Sequence, residues 1–545
     1  MSHSARFAPL LLLGACGGAA EEAAWFRSVP PEQGIAWSHV RADETRFWFP
    51  EIMGGGVGLL DVDQDGALDV YLVQSGDLAT PRAAHTNRVF RNQGGLSFVD
   101  ATQELGGADA GYGMGVACGD ADQDGDTDVL VTNVGPNAFF RNEGGKLVDD
   151  TARAGLGDPS WGTSAAWFDA DADGALDLFV TNYLRWSPER ERECFAPQGG
   201  RDYCSPLSYD APQRDLLYRN RGDGSFADVS LAAGLGLAFG NGLGVVSGDL
   251  DDDGRIDVYV ANDMMPNQLW HNRGDWTFED RALLAGCAVN KDGATEAGMG
   301  LVAVDAESDG DLDLFVTHLR QETNTFYQNK GGRFRDATGP LGLAEPSRAF
   351  TGFGVVFQDF DRDGEFDVYV ANGAVTRNPS PFRADDAYAE PDQLFAGRRR
   401  ADGTLHFSER LRQDGSRFPP IENSRGLAAG DLDEDGDVDL VVVDSGAPVR
   451  LLENVAPGGH WIGLDVRTAR GAPAEGARVT VRAGERVLER RVTSNGSYCS
   501  SQDPRLLVGL GPHAGEVLLE VRWVDGTKSA FGPLASGRWH RLTRP

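Results

Sequence analysis

The chain has 545 residues, 41% hydrophobic and 9% aromatic, a composition that supplies ample core material for a globular protein. Asp and Glu number 83 against 50 Lys and Arg, a formal charge of −33, so no basic face is on offer for the phosphates of a nucleic acid. Glycine is high at 71 residues, which favours tight turns and short strands over long helices.

In chain order, the first segment reads MSHSARFAPLLLLGACGG. Arg6 supplies a short positive region, and residues 7–13 form an apolar stretch too short to span a bilayer. The segment closes on Leu13-Gly14-Ala15-Cys16, which resembles the lipobox of bacterial lipoproteins. That resemblance implies removal of residues 1–15 as a signal peptide and lipidation of Cys16. An ordinary secretory signal with a chance cysteine is the alternative, and both readings take the mature chain out of the cytoplasm. Gly17 stands where Asp often signals inner-membrane retention in such lipoproteins, which points to the outer membrane or cell surface. Residues 16–25 read as a linker, and no other segment approaches the ~18 apolar residues of a membrane span.

From residue 61 onward one pattern, D-x-D-x-D-G-x-x-D, returns seven times with a single departure at Glu307. The copies start 49 to 80 residues apart. Each follows a Gly-rich apolar run such as GGGVGLL or GMGVACG and precedes a strand-like run such as VYLVQ or VLVTN. A second hairpin follows in most units, as in NRVFRNQGGLSFVDAT, with Gly-rich turns of the kind hairpins require. Two hairpins make four strands per unit, and seven four-stranded units predict an all-β, seven-bladed β-propeller over residues 26–455. A linear solenoid is the competitor, but these units are longer than one coil of a β-helix, and radial closure protects sheet edges.

Alternate carboxylates at loop positions 1, 3 and 5 converge when the backbone curls, Gly at 6 permits the turn, and Asp at 9 closes the set. The candidate ligands are Asp61, Asp63, Asp65, Asp69; Asp120, Asp122, Asp124, Asp128; Asp169, Asp171, Asp173, Asp177; and Asp249, Asp251, Asp253, Asp257. The remaining three loops offer Asp305, Glu307, Asp309, Asp313; Asp359, Asp361, Asp363, Asp367; and Asp431, Asp433, Asp435, Asp439. Oxygen-only ligation suits Ca²⁺ more than Mg²⁺ and disfavours soft metals, so the cofactor expected is Ca²⁺, up to one per blade. An EF-hand differs, closing on Glu at 12 between helices. Seven such ions would cut the formal charge of −33 to about −19. Glu307 adds a methylene, so the fifth site is expected to be the weakest or distorted.

Cys194 and Cys204 lie in the insert CFAPQGGRDYC, and an exported chain can oxidise such a pair, so a disulfide is expected there. Cys118, Cys287 and Cys499 read as buried free thiols. The longer insert around them, residues 182–215, holds Arg185, Trp186, Arg201, Tyr203 and Tyr209, a candidate sugar- or protein-contacting set that ordinary packing explains equally well. Arg221-Gly222-Asp223 and Arg273-Gly274-Asp275 spell an integrin-recognition tripeptide, but both fall in the repeated hairpin turn, where Gly-Asp is simply turn chemistry.

These acidic repeats resemble the FG-GAP/VCBS repeat proteins, relatives of the integrin α-subunit propeller. The acidic loop vanishes after Asp439, and residues 456–545 form a different β-rich module. Its pieces ENVAPGGHWIGLDVRT, EGARVTV, SNGSYCSSQDPRLLVGLG and EVLLEVRWVDGT resemble the ASPIC/UnbV module that follows such propellers in bacterial homologues of the cartilage acidic protein family. Trp523-Val524-Asp525-Gly526 departs mildly from the family's Trp-Pro-x-Gly. The resemblance implies an extracytoplasmic binding or adhesion-type protein and no particular ligand or reaction. Taken with the acidic loops and the lipobox-like segment, the chain is expected to be a calcium-stabilised, lipid-anchored, monomeric scaffold with a protein or glycan ligand. The competing function is a hydrolase or lyase acting on polysaccharide at the propeller face. The nine His are scattered, with no H-E-x-x-H and no G-x-S-x-G, so no catalytic residue is assigned.

Overall fold

Each acidic loop turns the chain between the first two strands of a four-stranded antiparallel sheet. The computed structural model describes residues 24–41, 45–79, 85–379, 381–411 and 420–545. The signal segment 1–15 and Cys16 lie outside the described residues. Blade 1 comprises Val57–Leu60, Asp69–Leu72, Arg88–Asn92 and Phe98–Asp100. Blades 2 to 6 follow the same order over residues 113–149, 162–228, 242–280, 301–336 and 352–409. Blade 7 is made differently. Ser424–Gly430, Asp439–Asp444 and Arg450–Asn454 supply three strands, and the N-terminal Phe26–Val29 pairs with the last of them as the fourth. The two ends of the repeat array are therefore fastened within one sheet.

The first strands of the seven sheets neighbour one another in a closed ring, blade 7 against blade 1. Adjacent sheets bury apolar clusters between them, exemplified by Val57, Val70 and Phe90 of blade 1 against Val441, Val443 and Leu451 of blade 7. The second strands are sandwiched on both sides, which is why they read as continuous apolar runs. Close approach near the axis explains the Gly-rich runs. A Cβ on Gly300 would lie 1.9 Å from the Phe353 carbonyl oxygen, and one on Gly426 would lie 2.2 Å from that of Gly55.

The C-terminal module packs a three-stranded sheet (His460–Arg467, Leu506–Gly511, Trp539–Thr543) on a four-stranded one (Arg478–Ala483, Arg486–Arg491, Glu516–Arg522, Lys528–Ala535). Their shared core includes Ile462, Val479, Val508, Val521 and Trp523. The module is not a free appendage. Its loop 494–503 enters the middle of the ring and bonds to every blade. Leu59 N–H donates to Ser501 O (3.1 Å), Val116 N–H to Cys499 O (3.1 Å) and Leu301 N–H to Ser497 O (3.0 Å). Cys499 N–H donates to Ser164 Oγ (3.0 Å), Asn495 Nδ2 to Ser247 Oγ (2.9 Å), Val355 N–H to Ser497 Oγ (3.1 Å) and Ala429 N–H to Gln502 Oε1 (2.9 Å). The loop is short, polar and rich in serine because it must satisfy inner-strand amides that no neighbouring strand reaches.

Tyr498 is the anchor of this plug. It is fully buried, its hydroxyl donates to Met53 O (2.8 Å), and its ring meets Phe353 edge-on at 4.9 Å. Beyond it, the far mouth is closed by Phe47, Phe49, Ile52, Trp161, Tyr183 and Tyr388. Among the described residues, no helix is long and apolar enough to cross a membrane.

Truncating Tyr498→Ala leaves a ring-sized void at the axis and should destabilise by about 3–5 kcal/mol. Tyr498→Phe removes only the bond to Met53 O and should cost about 1 kcal/mol. Urea unfolding followed by tryptophan fluorescence measures both, and equal effects from the two substitutions would contradict the anchoring role.

Candidate metal centres in the acidic loops

One hydrogen-bond plan is repeated in all seven loops. The Gly at position 6 donates its N–H to Oδ2 of the first Asp, as from Gly66 to Asp61 (3.0 Å) and from Gly364 to Asp359 (2.8 Å). The fifth-position Asp accepts from the amide two residues on, as from Ala67 to Asp65 (2.9 Å). The ninth-position Asp is the hinge. Its Oδ2 accepts from the second residue of its own loop and its Oδ1 from the third strand, as from Val62 (3.1 Å) and Asn92 (2.8 Å) to Asp69. Asp128, Asp177, Asp257, Asp313, Asp367 and Asp439 make the same two bonds. Position 4 adopts left-handed φ in every loop, at Gln64, Gln123, Ala172, Asp252, Ser308, Arg362 and Glu434. Non-glycine residues there carry roughly 1 kcal/mol of strain each.

The third-position carboxylate behaves otherwise. One of its oxygens is buried without a hydrogen-bond partner in every loop: Asp63, Asp122, Asp171, Asp251, Asp361 and Asp433 Oδ1, and Glu307 Oε2. Asp249, Asp359 and Asp431 at position 1 each add a second such oxygen. In blades 1, 2, 3 and 6, oxygens of positions 1, 3 and 9 lie within 4.8 Å of one another. That is the span across an ion whose oxygens stand 2.3–2.6 Å away, so these residues fit a bound Ca²⁺. The fifth-position carboxylates sit beside this group, one oxygen already committed to the turn.

A third-strand cation faces position 3 in several blades. Arg91 Nε lies 2.8 Å from Asp63, Arg219 lies 3.3 Å from Asp171, Arg141 bonds Asp122, and Arg398 bonds Asp361. In blade 4 the group is His271, 3.1 Å from Asp251. In blade 5 it is Gln328, bonded to Glu307; burial, with Glu307 beside it, pushes the Asp313 carboxyl up to about 10. Glu307 is one methylene longer than its six counterparts, while Gly310, Ala306 and Asn329 keep the hydrogen bonds of the other loops.

The C-terminal module docks on this face. Arg505 donates to Gly66 O (3.4 Å), Arg478 to Gly310 O (3.2 Å), Arg490 to Gly364 O (3.3 Å), and Trp539 Nε1 to Asp431 Oδ2 (3.2 Å). A cleft of about 670 Å³ remains between the module and loops 1 and 2, edged by Arg467, Arg470, Arg505 and Arg541.

Other sequence-stated residues fall into place as follows. Cys194 and Cys204 are bonded to each other, and Cys118, Cys287 and Cys499 are buried thiols. Tyr203 and Tyr209 are buried in the aromatic closure of the far mouth, with Phe49 stacked on Tyr209, and Trp186 packs against the same cluster. For these rings packing is the better account. Asp223 and Asp275 cap their own turns by accepting from Ser225 and Thr277.

One set was missed. Asn92, Asn142, Asn220, Asn272, Asn329 and Asn454 each donate Nδ2 to a loop carbonyl of the preceding blade, as Asn142 does to Val62 O (2.9 Å) and Asn454 to Phe360 O (2.9 Å). The repeated third-strand Asn, in FRN, YRN, WHN and YQN, was the available signal. Only blade 6 departs, with Gly397 at that place.

Comparison with known proteins agrees with this architecture. The FG-GAP-like repeat family matches residues 61–131, 120–180, 207–260, 249–316 and 305–370, and the ASPIC and UnbV family matches residues 467–545. Cartilage acidic protein 1 of Homo sapiens is 29% identical over 344 residues, 62% of this chain and 48% of that protein. Its Xenopus tropicalis counterpart is 31% identical over 308 residues, 54% of this chain and 44% of that protein. The chain therefore spans less than half the length of these relatives. Among solved structures, an Agrocybe aegerita lectin that recognises non-reducing terminal N-acetylglucosamine aligns at 14% identity and TM-score 0.38, covering 72% of this chain and 87% of that one. A Bacillus licheniformis rhamnogalacturonan lyase aligns at 12% identity and TM-score 0.39, covering 80% and 76%. At those scores neither bears on function.

Burial raises the loop carboxyls. It pushes Asp120, Asp169 and Asp305 up to about 6, Asp359, Asp431 and Asp69 to about 7, and Asp128 and Asp177 to about 8. The folded, metal-free chain then holds protons near neutrality that the unfolded chain has released. Its stability is full below the ordinary carboxylate value and is lost as pH rises through about 6 to 8. A bound cation favours the charged form and removes that loss. In EDTA the melting temperature should fall by several degrees between pH 5 and pH 8, and in millimolar Ca²⁺ it should not. Parallel curves would contradict this linkage.

Proposed function

Because this chain belongs to the FG-GAP-like repeat proteins and carries a C-terminal ASPIC and UnbV domain, we propose that it is a calcium-stabilised extracytoplasmic binding scaffold, held at the bacterial cell envelope by lipid on Cys16. The observation that carries the calcium assignment is the unpartnered, buried third-position oxygen in all seven loops. Bound Ca²⁺ supplies the positive charge those oxygens lack. Positions 1, 3 and 9 hold it, and the ninth Asp transmits the restraint to the third strand through its backbone bonds. The arginines opposite position 3 screen part of the same charge.

The role proposed is binding, not catalysis. With its axis filled by the 494–503 loop, the scaffold offers concave surface at the cleft between the module and loops 1 and 2. Guanidinium groups above carboxylates suit an acidic, hydroxyl-rich glycan or an acidic protein segment there. The Cys194–Cys204 bond supports residence in an oxidising compartment.

If each site binds with Kd of about 10⁻⁴ M, 1 mM Ca²⁺ stabilises by roughly 1.4 kcal/mol per site, or about 10 kcal/mol over seven. EDTA should therefore lower the melting temperature of purified protein sharply at pH 7.5, with recovery on adding Ca²⁺. An unchanged melting temperature would overturn the assignment. Cells fed radiolabelled palmitate should label the wild-type chain and not Cys16→Ala, which tests the anchor separately. On a glycan and protein array, capture should be weakened at least tenfold by Arg470→Glu with Arg541→Glu, and unaltered capture would exclude the cleft.

A further inference from the structure

Loop 4 differs from its six counterparts in two independent ways. Its third-strand partner is an imidazole, where the register-equivalent places in the other blades hold Arg91, Arg141, Arg219, Gln328, Ala396 and Glu453, blade 6 using Arg398 as its partner instead. Its seventh position is Arg255, where the other loops have Ala67, Asp126, Ala175, Asp311, Glu365 and Asp437.

Both changes move the site away from a hard, highly charged cation. Arg255 bonds Asp253, and Arg478 from the C-terminal module reaches Asp252 (2.9 Å) and Asp249 (3.4 Å). Two guanidinium groups thus offset much of the negative charge that draws Ca²⁺. The imidazole adds a nitrogen donor. His271 is 5% exposed, and its Nδ1 stands 3.1 Å from Asp251 Oδ2 and 3.3 Å from Asp257 Oδ1, in ion-pairing range of both carboxylates. Nε2 is 3.9 Å from Asp253 Oδ2. Ligand atoms of Asp251, Asp253 and His271 lie within 4.8 Å of one another, and Asp251 Oδ1 and Asp249 Oδ1 are also buried and unpartnered. Of these, the 3.1 Å between His271 Nδ1 and Asp251 is close to the separation that two donors keep on a four-coordinate ion at roughly 2.0–2.1 Å.

We propose that blade 4 carries a site for a borderline divalent transition ion of the Zn²⁺ and Co²⁺ class, ligated by Asp251, Asp253 and His271, distinct from the oxygen-only loops. Imidazole with carboxylates suits such ions, and nitrogen ligation raises their affinity over Ca²⁺. The site sits beneath Arg478, so an ion there also braces the contact between module and propeller. It takes loop 4 alone out of the calcium set, and the calcium assignment of the six oxygen-only loops holds or fails independently of it.

The test is titration of Ca²⁺-saturated protein with Co²⁺, followed by calorimetry and visible absorption. Wild type should take one equivalent per chain with Kd below about 10 µM in 2 mM Ca²⁺. His271→Gln, which installs the side chain blade 5 has at this place, should weaken that equivalent at least 100-fold. Its Ca²⁺ uptake and melting temperature should match wild type, which separates loss of the site from loss of the fold or of calcium binding. Zn²⁺-loaded wild type, needing no substitution, should show imidazole scattering at the zinc absorption edge. An oxygen-only shell, displacement of Co²⁺ by 2 mM Ca²⁺, or equal binding by His271→Gln would each overturn the proposal.

Discussion

A carboxylate that accepts two backbone amides at the start of a strand is the interaction on which each blade depends. The ninth-position Asp ties the loop's second residue to the third strand, and so fixes where strands two and three leave the turn. Its cost is burial of a charge: Asp69 is 1% exposed and its carboxyl is pushed up to about 7. The glycine amide on the first Asp and the Asx turn at the fifth position complete a rigid bowl. What the bowl leaves unsatisfied is the third-position oxygen, and that deficit links folding to cation binding.

From that bowl the ring is assembled by contacts of a second kind. The third-strand Asn reaches back to a carbonyl of the preceding loop, so adjacent blades are pinned at their acidic ends as well as by the apolar layers between them. Two longer-range devices then close the ring. Phe26–Val29 completes blade 7, and the 494–503 loop is hydrogen-bonded to all seven inner strands. Because the loop belongs to a module whose arginines clasp loop carbonyls, the module, the axis and the cation sites form one mechanical unit.

Much of this was legible in the chain. The sevenfold acidic pattern, the apolar second strands and the Gly-rich first strands each have one physical cause, and the fold follows from their repetition. The ASPIC/UnbV module was equally readable from its segments. Three features were hidden for identifiable reasons. Position 4 carries six residue types, so its left-handed backbone leaves no compositional trace. The Asn staple was visible as a repeated letter, but its partner lies in a neighbouring repeat, a relation that only packing reveals. The plug SNGSYCSSQD reads as an ordinary surface loop, since polarity suits solvent and unpaired inner-strand amides alike. The insert aromatics Tyr203 and Tyr209 show the converse, a set that could contact a ligand and instead seals the far mouth.

The central claim is that the unpartnered third-position oxygens mark cation sites whose filling locks the blades. Crystals grown in millimolar Ca²⁺ and measured at a wavelength sensitive to calcium test it directly. The account predicts anomalous density among positions 1, 3 and 9 of loops 1, 2, 3 and 6, with the third-position oxygen as a ligand in each. Loops free of density, with Arg91, Arg141, Arg219 and Arg398 as the sole partners of those carboxylates, would contradict it.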